Sequence, residues 1–223
     1  MVFMKKTTVL FDLDGTLVDT EEGVARSLRY AMDKLGMEPP DADTIRRFIG
    51  PLVPDSFQRE YGFSEERAKN ADSIFRERYE TIGLFECRLF PGVEDALKAL
   101  KEKGWRISVA SSKEEEPCRQ ILEKFHVAQY FDLICGARLK EDIGTKIEVL
   151  RDAMKRLGIS DKEEVVLVGD SRYDARGAQE LGIGCIGVSY GFEEDFGEMR
   201  KAGVTEIFDT LDEVIKYLGE PGR

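Results

Sequence analysis

Residues 7–15 of the chain read TTVLFDLDG. The β-branched and apolar residues of this stretch end abruptly in Asp12, Asp14 and Gly15, a pattern that is typical of a buried strand. In α/β proteins the functional site lies where the strands of a parallel sheet end. The stretch therefore predicts a core strand of such a sheet, with acidic residues at its carboxyl end.

Strand and helix patterns alternate along the chain from residue 93 onward. Because parallel strands need crossover connections, this alternation predicts an α/β fold with a doubly wound parallel sheet. The predicted strands after the first cover 106–110, 132–135, 165–168, 185–188 and 206–208, and the predicted helices cover 93–103, 115–125, 146–157, 174–181, 194–202 and 211–218.

The segment 19–84 shows helical patterns only. A helical insertion into an α/β chain indicates a separate domain, so we predict an all-helical cap domain at 19–84 and a core domain formed by 1–18 and 85–223. Asp19 and Glu22 have the spacing of a capping box, which predicts that the first cap helix begins directly after Asp19.

The composition excludes several classes of protein. The chain has 223 residues, 42% of them hydrophobic, which is enough to bury a full core. Its 44 acidic and 33 basic residues leave a net charge of −11, which argues against a nucleic-acid partner. Neither a signal peptide nor a run of roughly 18 apolar residues is visible, so we expect a cytoplasmic protein without a membrane partner. Monomer and homodimer both stay open. The four cysteines are scattered singly along the chain, so we expect them to be reduced thiols; they are Cys87, Cys118, Cys135 and Cys185.

The two acids that follow the first strand indicate a metal site. Asp12 and Asp14 are two residues apart, so they would share one face of a continuing strand. Close carboxylates repel each other unless a divalent cation neutralises them, and oxygen-only ligands suit Mg²⁺. Solvated acids in a turn are the alternative for this pair alone. The apolar strand at 165–168 ends in the same way, with Asp170 and then Asp174.

The segment DLDGTLVD, residues 12–19, resembles the first signature of haloacid dehalogenase phosphatases. The resemblance implies that Asp12 attacks phosphorus as a nucleophile. It also implies that Asp14 protonates the leaving oxygen and then activates water against the aspartyl-phosphate. Asp14 disfavours the carbon–halogen hydrolases of the superfamily, which lack this second acid.

Two later segments are similar to the second and third signatures of the same family. In VASSK, Ser111, with Ser112 beside it, is expected to bind a phosphoryl oxygen, and a strand end that caps the following helix is the alternative for this segment alone. In EDIGTKIEVL, Lys146 is expected to offset the negative charge between the phosphoryl group and the nucleophile. Lys140 is a rival for this role, and a solvated helix lysine is the alternative for Lys146.

The segment VVLVGDSRYD, residues 165–174, resembles the fourth signature. The resemblance implies that Asp170 binds Mg²⁺ together with Asp12 and the backbone carbonyl of Asp14. Asp174 would orient metal-bound water or the lysine. Four such segments in the correct order are far more specific than any one of them.

The resemblance is closest to phosphoglycolate phosphatase-like proteins, some of which act as 5′-nucleotidases. It implies Mg²⁺-dependent hydrolysis of a small phosphate monoester, with the leaving group read by the cap. The candidates for recognising the leaving group are Arg46 and Arg47 in TIRRFIG, and Lys69. For the two arginines, a purely solvent-exposed position is the alternative. A phosphosugar mutase and, more remotely, a receiver-type phosphoacceptor module are alternative functions.

Overall fold

The computed structural model of the protein describes residues 6–222, which divide into two compact units. The core unit contains the residues up to Val18 and those from Leu89 onward, and the cap unit contains Asp19–Arg88. The cap unit thus continues a few residues past the boundary that the sequence analysis placed. These last residues stay with the cap because the Glu86 carbonyl accepts a hydrogen bond from the backbone N–H of Gly23 (2.9 Å).

The strands of the described chain are β1 (Thr8–Phe11), β2 (Val18–Asp19), β3 (Arg88–Leu89), β4 (Arg106–Glu114), β5 (Leu133–Ala137), β6 (Val165–Gly169), β7 (Gly184–Val188) and β8 (Ile207–Phe208). Six of them form one parallel sheet in the order β5-β4-β1-β6-β7-β8, and β2 pairs with β3. The strand order steps outward from β1 in both directions, which confirms the predicted doubly wound α/β fold.

The α-helices of the described chain are α1 (Glu21–Lys34), α2 (Ala42–Arg47), α3 (Val53–Tyr61), α4 (Glu65–Tyr79), α5 (Val93–Glu102), α6 (Glu115–Lys124), α7 (Lys146–Arg156), α8 (Arg172–Leu181), α9 (Phe196–Lys201) and α10 (Leu211–Leu218). Helices α1 to α4 belong to the cap unit and the others to the core unit. None of the described helices is both long and apolar enough to cross a membrane.

Aliphatic packing between the sheet and two helices forms one layer of the core unit. Leu10 of β1 and Leu167 of β6 are fully buried in a cluster with Val149 and Leu150 of α7 and Ala178 of α8. A fully buried side chain of this size contributes about 1.5–3 kcal/mol to folding. The carboxyl ends of β1 and β6, which carry the predicted acids, therefore lie on a rigid layer.

Aromatic packing holds the cap helices together. Phe57 of α3 is fully buried, and its ring centroid lies 5.0 Å from that of Phe48 and 5.6 Å from that of Phe63. Aromatic pairs at this separation add about 0.5–1.5 kcal/mol to the burial of their surface. The cap unit thus has an apolar core of its own.

The capping box predicted for the first cap helix is wrong. Helix α1 begins at Glu21 with Thr20 at the N-cap, and Thr20 makes no side-chain capping bond. The carboxylate of Asp19 instead accepts from Arg88 Nε (3.0 Å) and Nη2 (2.7 Å), and its other oxygen accepts from the Glu21 N–H (3.1 Å). Asp19 therefore accepts from the first backbone N–H of α1 and pairs with the distant Arg88, without forming the predicted capping box.

Candidate active site

The strand register brings the first two acids of the site together. Phe11, the last residue of β1, pairs with Val109 of β4 and with Val168 of β6. Asp12 follows at once and Asp170 follows β6, so both carboxylates leave the same edge of the sheet. The backbone N–H of Asp12 continues the ladder by donating to the Val168 carbonyl (3.0 Å). Both acids are buried.

Lys146 is the lysine that reaches these acids. The side chain of Thr145 caps helix α7, and Lys146 is the first residue of that helix. Lys146 Nζ lies 2.8 Å from Asp12 Oδ1 and 2.8 Å from Asp174 Oδ1, and it donates to the Ala110 carbonyl at 3.0 Å. Its rival, Lys140, is exposed in a short 3-10 helix at Leu139–Glu141.

Asp174 is fixed by the start of helix α8. Its Oδ2 accepts hydrogen bonds from the hydroxyl (2.6 Å) and the backbone N–H (3.1 Å) of Ser171, and together they form a capping box. This arrangement leaves Oδ1 for Lys146. A Cβ on Gly169 would lie 2.4 Å from Asp174 Cγ, so the close approach of this side chain requires glycine there.

Asp170 is held from two sides. Its Oδ1 accepts from Thr16 Oγ1 (3.2 Å) and its Oδ2 accepts from the Phe192 N–H (2.8 Å). A Cβ on Gly15 would lie 2.1 Å from Asp170 Oδ2, and one on Gly191 would lie 2.3 Å from Asp170 Cβ. Thr16, Phe192 and Gly191 did not emerge as site residues from the sequence analysis.

Asp12, Asp170 and Asp174 together fit a divalent cation. Each offers a carboxylate oxygen, and these oxygens all lie within 4.8 Å of one another. Among the described residues, Lys146 is the cation that contacts the cluster, so ionised carboxylates leave two uncompensated negative charges. Burial raises the pKa of Asp12 to about 6 against the opposing effect of Lys146, and burial followed by the charges of Asp174 and Asp12 raises the pKa of Asp170 well above its usual range. This excess charge equals the charge of one divalent metal ion.

Asp14 faces a cation that the sequence analysis did not assign to the site. Lys113 Nζ lies 3.1 Å from Asp14 Oδ2, and both side chains are largely buried. Asp14 Oδ1 is buried and has no hydrogen-bond partner within residues 6–222. The only signal for Lys113 in the sequence was its position two residues after Ser111.

The structure places the remaining predicted residues in two different surroundings. Ser111 is buried in β4, where its hydroxyl accepts from the Lys113 N–H (3.3 Å), and Ser112 is half-buried beside it. In the cap unit, Arg47 Nε lies 2.7 Å from Glu60 Oε2. There too, Arg46 Nε lies 3.8 Å from Glu21 Oε2, and Lys69 Nζ lies 2.5 Å from Glu65 Oε1.

Comparisons with known proteins show which family the chain resembles. The sequence model of a family described as haloacid dehalogenase-like hydrolase matches residues 9–188. A 5′-nucleotidase of Pseudomonas aeruginosa is 38% identical over 85% of each chain. A phosphoglycolate phosphatase of Colwellia psychrerythraea is 29% identical over 96% of this chain and 98% of its own. The crystal structure of a predicted phosphatase from Clostridium acetobutylicum superposes with a TM-score of 0.90, at 37% identity and covering 96% of this chain and 98% of that one.

Proposed function

This chain belongs to the haloacid dehalogenase-like hydrolase family and is a phosphatase, and we propose that it hydrolyses a small phosphate monoester with Mg²⁺ through an aspartyl-phosphate on Asp12. The observation that carries the proposal is the contact of buried Asp12 with Lys146 at the end of β1, beside Asp170 and Asp174. A carboxylate held in this way has one oxygen fixed by the lysine.

The reaction proceeds in two steps. A carboxylate oxygen of Asp12 attacks phosphorus in line, the bond from phosphorus to the leaving oxygen breaks, and Asp14 gives that oxygen a proton. Asp14 then takes a proton from water, which attacks phosphorus and releases phosphate and free Asp12. The Ser111 hydroxyl and Lys146 stabilise the charge of the phosphoryl oxygens.

The fit of the acidic cluster to a divalent cation supports Mg²⁺ as the cofactor. The carboxylates of Asp12 and Asp170 and the backbone carbonyl of Asp14 would hold the ion, and Asp174 would position Lys146 and the ion's surroundings. When bound, Mg²⁺ neutralises the charge that builds up between the nucleophile and the phosphoryl oxygens.

The substrate class is proposed from the relatives. Two of them are a phosphoglycolate phosphatase and a 5′-nucleotidase, so phosphoglycolate is our first candidate and a nucleoside monophosphate is the alternative. Because the phosphate chemistry belongs to the core unit, the leaving group must be distinguished elsewhere. We assign that role to the cap unit, with Arg46 and Arg47 as candidate contacts.

Phosphate release tests the proposal. Phosphoglycolate, nucleoside monophosphates, sugar phosphates and pyrophosphate should be assayed with and without Mg²⁺, for the unmodified enzyme and for Asp12→Asn. We expect Mg²⁺-dependent turnover that the variant lowers at least about 10³-fold, because the substitution removes the nucleophile. Acid quenching with radiolabelled substrate should trap labelled protein only when Asp12 is present.

Two outcomes would contradict this assignment. Substantial kcat in Asp12→Asn would exclude Asp12 as the nucleophile. Stimulation of turnover by a bisphosphorylated sugar, in place of competition, would favour the phosphosugar mutase instead.

A further inference from the structure

Lys113 occupies an irregular stretch of β4 that borders the site. Ser111 pairs with Gly136 of β5, and the next pair joins Glu114 to Ala137. Strand β4 therefore advances by three residues while β5 advances by one, and Ser112 and Lys113 lie in the bulge between the two pairs. Bulges next to active sites commonly direct a side chain into the site.

The backbone of Lys113 is fixed on both sides. Its N–H donates to Ser111 Oγ at 3.3 Å, and its carbonyl accepts a weak bond from Cys118 Sγ at 3.6 Å. A Cβ on Gly136 would lie 2.6 Å from that carbonyl oxygen, so the neighbouring strand can approach the bulge only at a glycine. The backbone position from which the Lys113 side chain extends is therefore fixed next to the site.

The two oxygens of Asp14 have different surroundings. Oδ2 lies 3.1 Å from Lys113 Nζ, and the Lys113 side chain is 13% exposed. Oδ1 is buried and lacks a hydrogen-bond partner among the described residues. A buried carboxylate oxygen without a partner costs free energy, which a bound ligand that supplies or receives a proton would recover.

We propose that Lys113 is a positioning residue for Asp14: it holds Oδ2 so that Oδ1 exchanges the proton with the leaving group and then with water. The inference rests on the proposed function, since it requires Asp14 to act as acid and base. The proton passes from Oδ1 to the leaving oxygen as the bond from phosphorus breaks. It returns to Oδ1 from the attacking water in the second step.

The dependence of kcat/KM on the leaving group tests this inference. kcat/KM reports only the steps up to departure of the leaving group, and p-nitrophenolate departs without a proton whereas an alkoxide needs one. We expect Lys113→Met to lower kcat/KM by about 10- to 100-fold for the best alkyl phosphate of the panel and by less than about threefold for p-nitrophenyl phosphate. The ratio of the two values is independent of the fraction of correctly folded enzyme.

Matched variants separate positioning from other roles. Lys113→Arg keeps a cation near Oδ2 and should recover most of the lost kcat/KM. Lys155→Met, at an exposed lysine of α7, should leave kcat/KM unchanged for both substrates. Because Lys113 acts through Asp14, adding Lys113→Met to Asp14→Asn should cause no further loss for the alkyl phosphate.

Two results would overturn the inference. An equal loss for both substrates would mean that Lys113 binds the phosphoryl group, and no loss for either would leave it without a role. The Asp14→Asn variant distinguishes these failures from a failure of the proposed function. If that variant does not itself show the larger loss for the alkyl phosphate, Asp14 is not the acid and the proposed function is wrong at that residue.

Discussion

The core unit and the cap unit both contain ion pairs, but they balance charge in different ways. At the core site, Lys146 is buried between Asp12 and Asp174, and the acids outnumber the cation. In the cap unit, exposed arginines such as Arg47 pair one-to-one or better with carboxylates such as Glu60, which also pairs with Arg59. Exposed pairs contribute about 0–1 kcal/mol, whereas a buried, unbalanced cluster costs stability that a bound cation would restore. The core site therefore keeps an excess of negative charge that favours binding of a cation. The ion pairs of the cap unit are balanced and contribute little beyond the surface of that unit.

Removing the buried cation should have the largest effect on stability. Lys146→Met leaves Asp12 and Asp174 without a counter-charge, so we expect a loss of about 3–5 kcal/mol in the free energy of unfolding without Mg²⁺. Urea unfolding in EDTA, followed by circular dichroism, measures this change. Lys155→Met on the same helix is the control, and a loss below about 1 kcal/mol for Lys146→Met would show that the cluster is already balanced.

Replacing Asp170 should have effects of opposite sign with and without metal. Asp170 is buried beside two other acids and accepts hydrogen bonds from Thr16 and Phe192, so Asp170→Asn removes unfavourable charge and should stabilise the metal-free protein by about 1–2 kcal/mol. The amide can still accept from the Phe192 N–H and donate to Thr16 Oγ1.

The metal should reverse that order of stability. Saturation at 100 times the Kd stabilises the unmodified protein by about 2.7 kcal/mol, and the variant should gain much less. Tm measured in EDTA and in excess MgCl₂ tests this, with CaCl₂ as a second ion. Parallel shifts of both proteins would contradict the assignment of Asp170 as a metal ligand.

Glu86 should give a moderate and pH-dependent effect in the cap. Its hydrogen bonds with Arg78 and Arg26 lower its pKa from 4.5 to about 2. Because the folded pKa lies below the unfolded one, its contribution is complete above about pH 4.5 and is lost as the pH falls towards 2. At neutral pH, the backbone amides of α1 and α4 should therefore be less protected from hydrogen exchange in Glu86→Gln than in the unmodified protein. That difference should shrink with acidification, and a constant one would contradict the prediction.

Arg47 should give the smallest effect on stability. The Arg47 side chain is half exposed and Glu60 keeps a second ion pair with Arg59, so we expect Arg47→Met to change the free energy of unfolding by no more than about 0.5 kcal/mol, and by less at high salt. Urea unfolding at two salt concentrations checks this. A loss above about 2 kcal/mol in the free energy of unfolding would show that this cap ion pair contributes as much as a buried one.

The contacts that the sequence could predict are those that follow from strand ends. The apolar runs before Asp12 and Asp170 place both acids at one edge of the sheet, and the helix start after Thr145 gives Lys146 its position. The choice between Lys146 and Lys140 needed the structure, because the path of the intervening loop has no regular period.

Two other contacts were beyond the sequence for a related reason. Lys113 reaches Asp14 from a bulge, and the alternation of apolar residues along a strand does not reveal where an extra residue is inserted. Asp19 binds Arg88, which is close only because the chain leaves the core and returns to it there. In each case the contact depends on residues that are distant in sequence.

The position of β1 in the sheet has a consequence for how the protein folds during synthesis. β1 is synthesised before the other strands of its sheet, yet it lies between β4 and β6, and the whole cap unit is translated before either of them. Local contacts form faster than distant ones, so we expect the cap to fold while β1 is still unpaired. An unpaired apolar strand can associate with other chains. Nascent chains that stop before residue 165 should therefore depend on chaperones far more than the finished enzyme does.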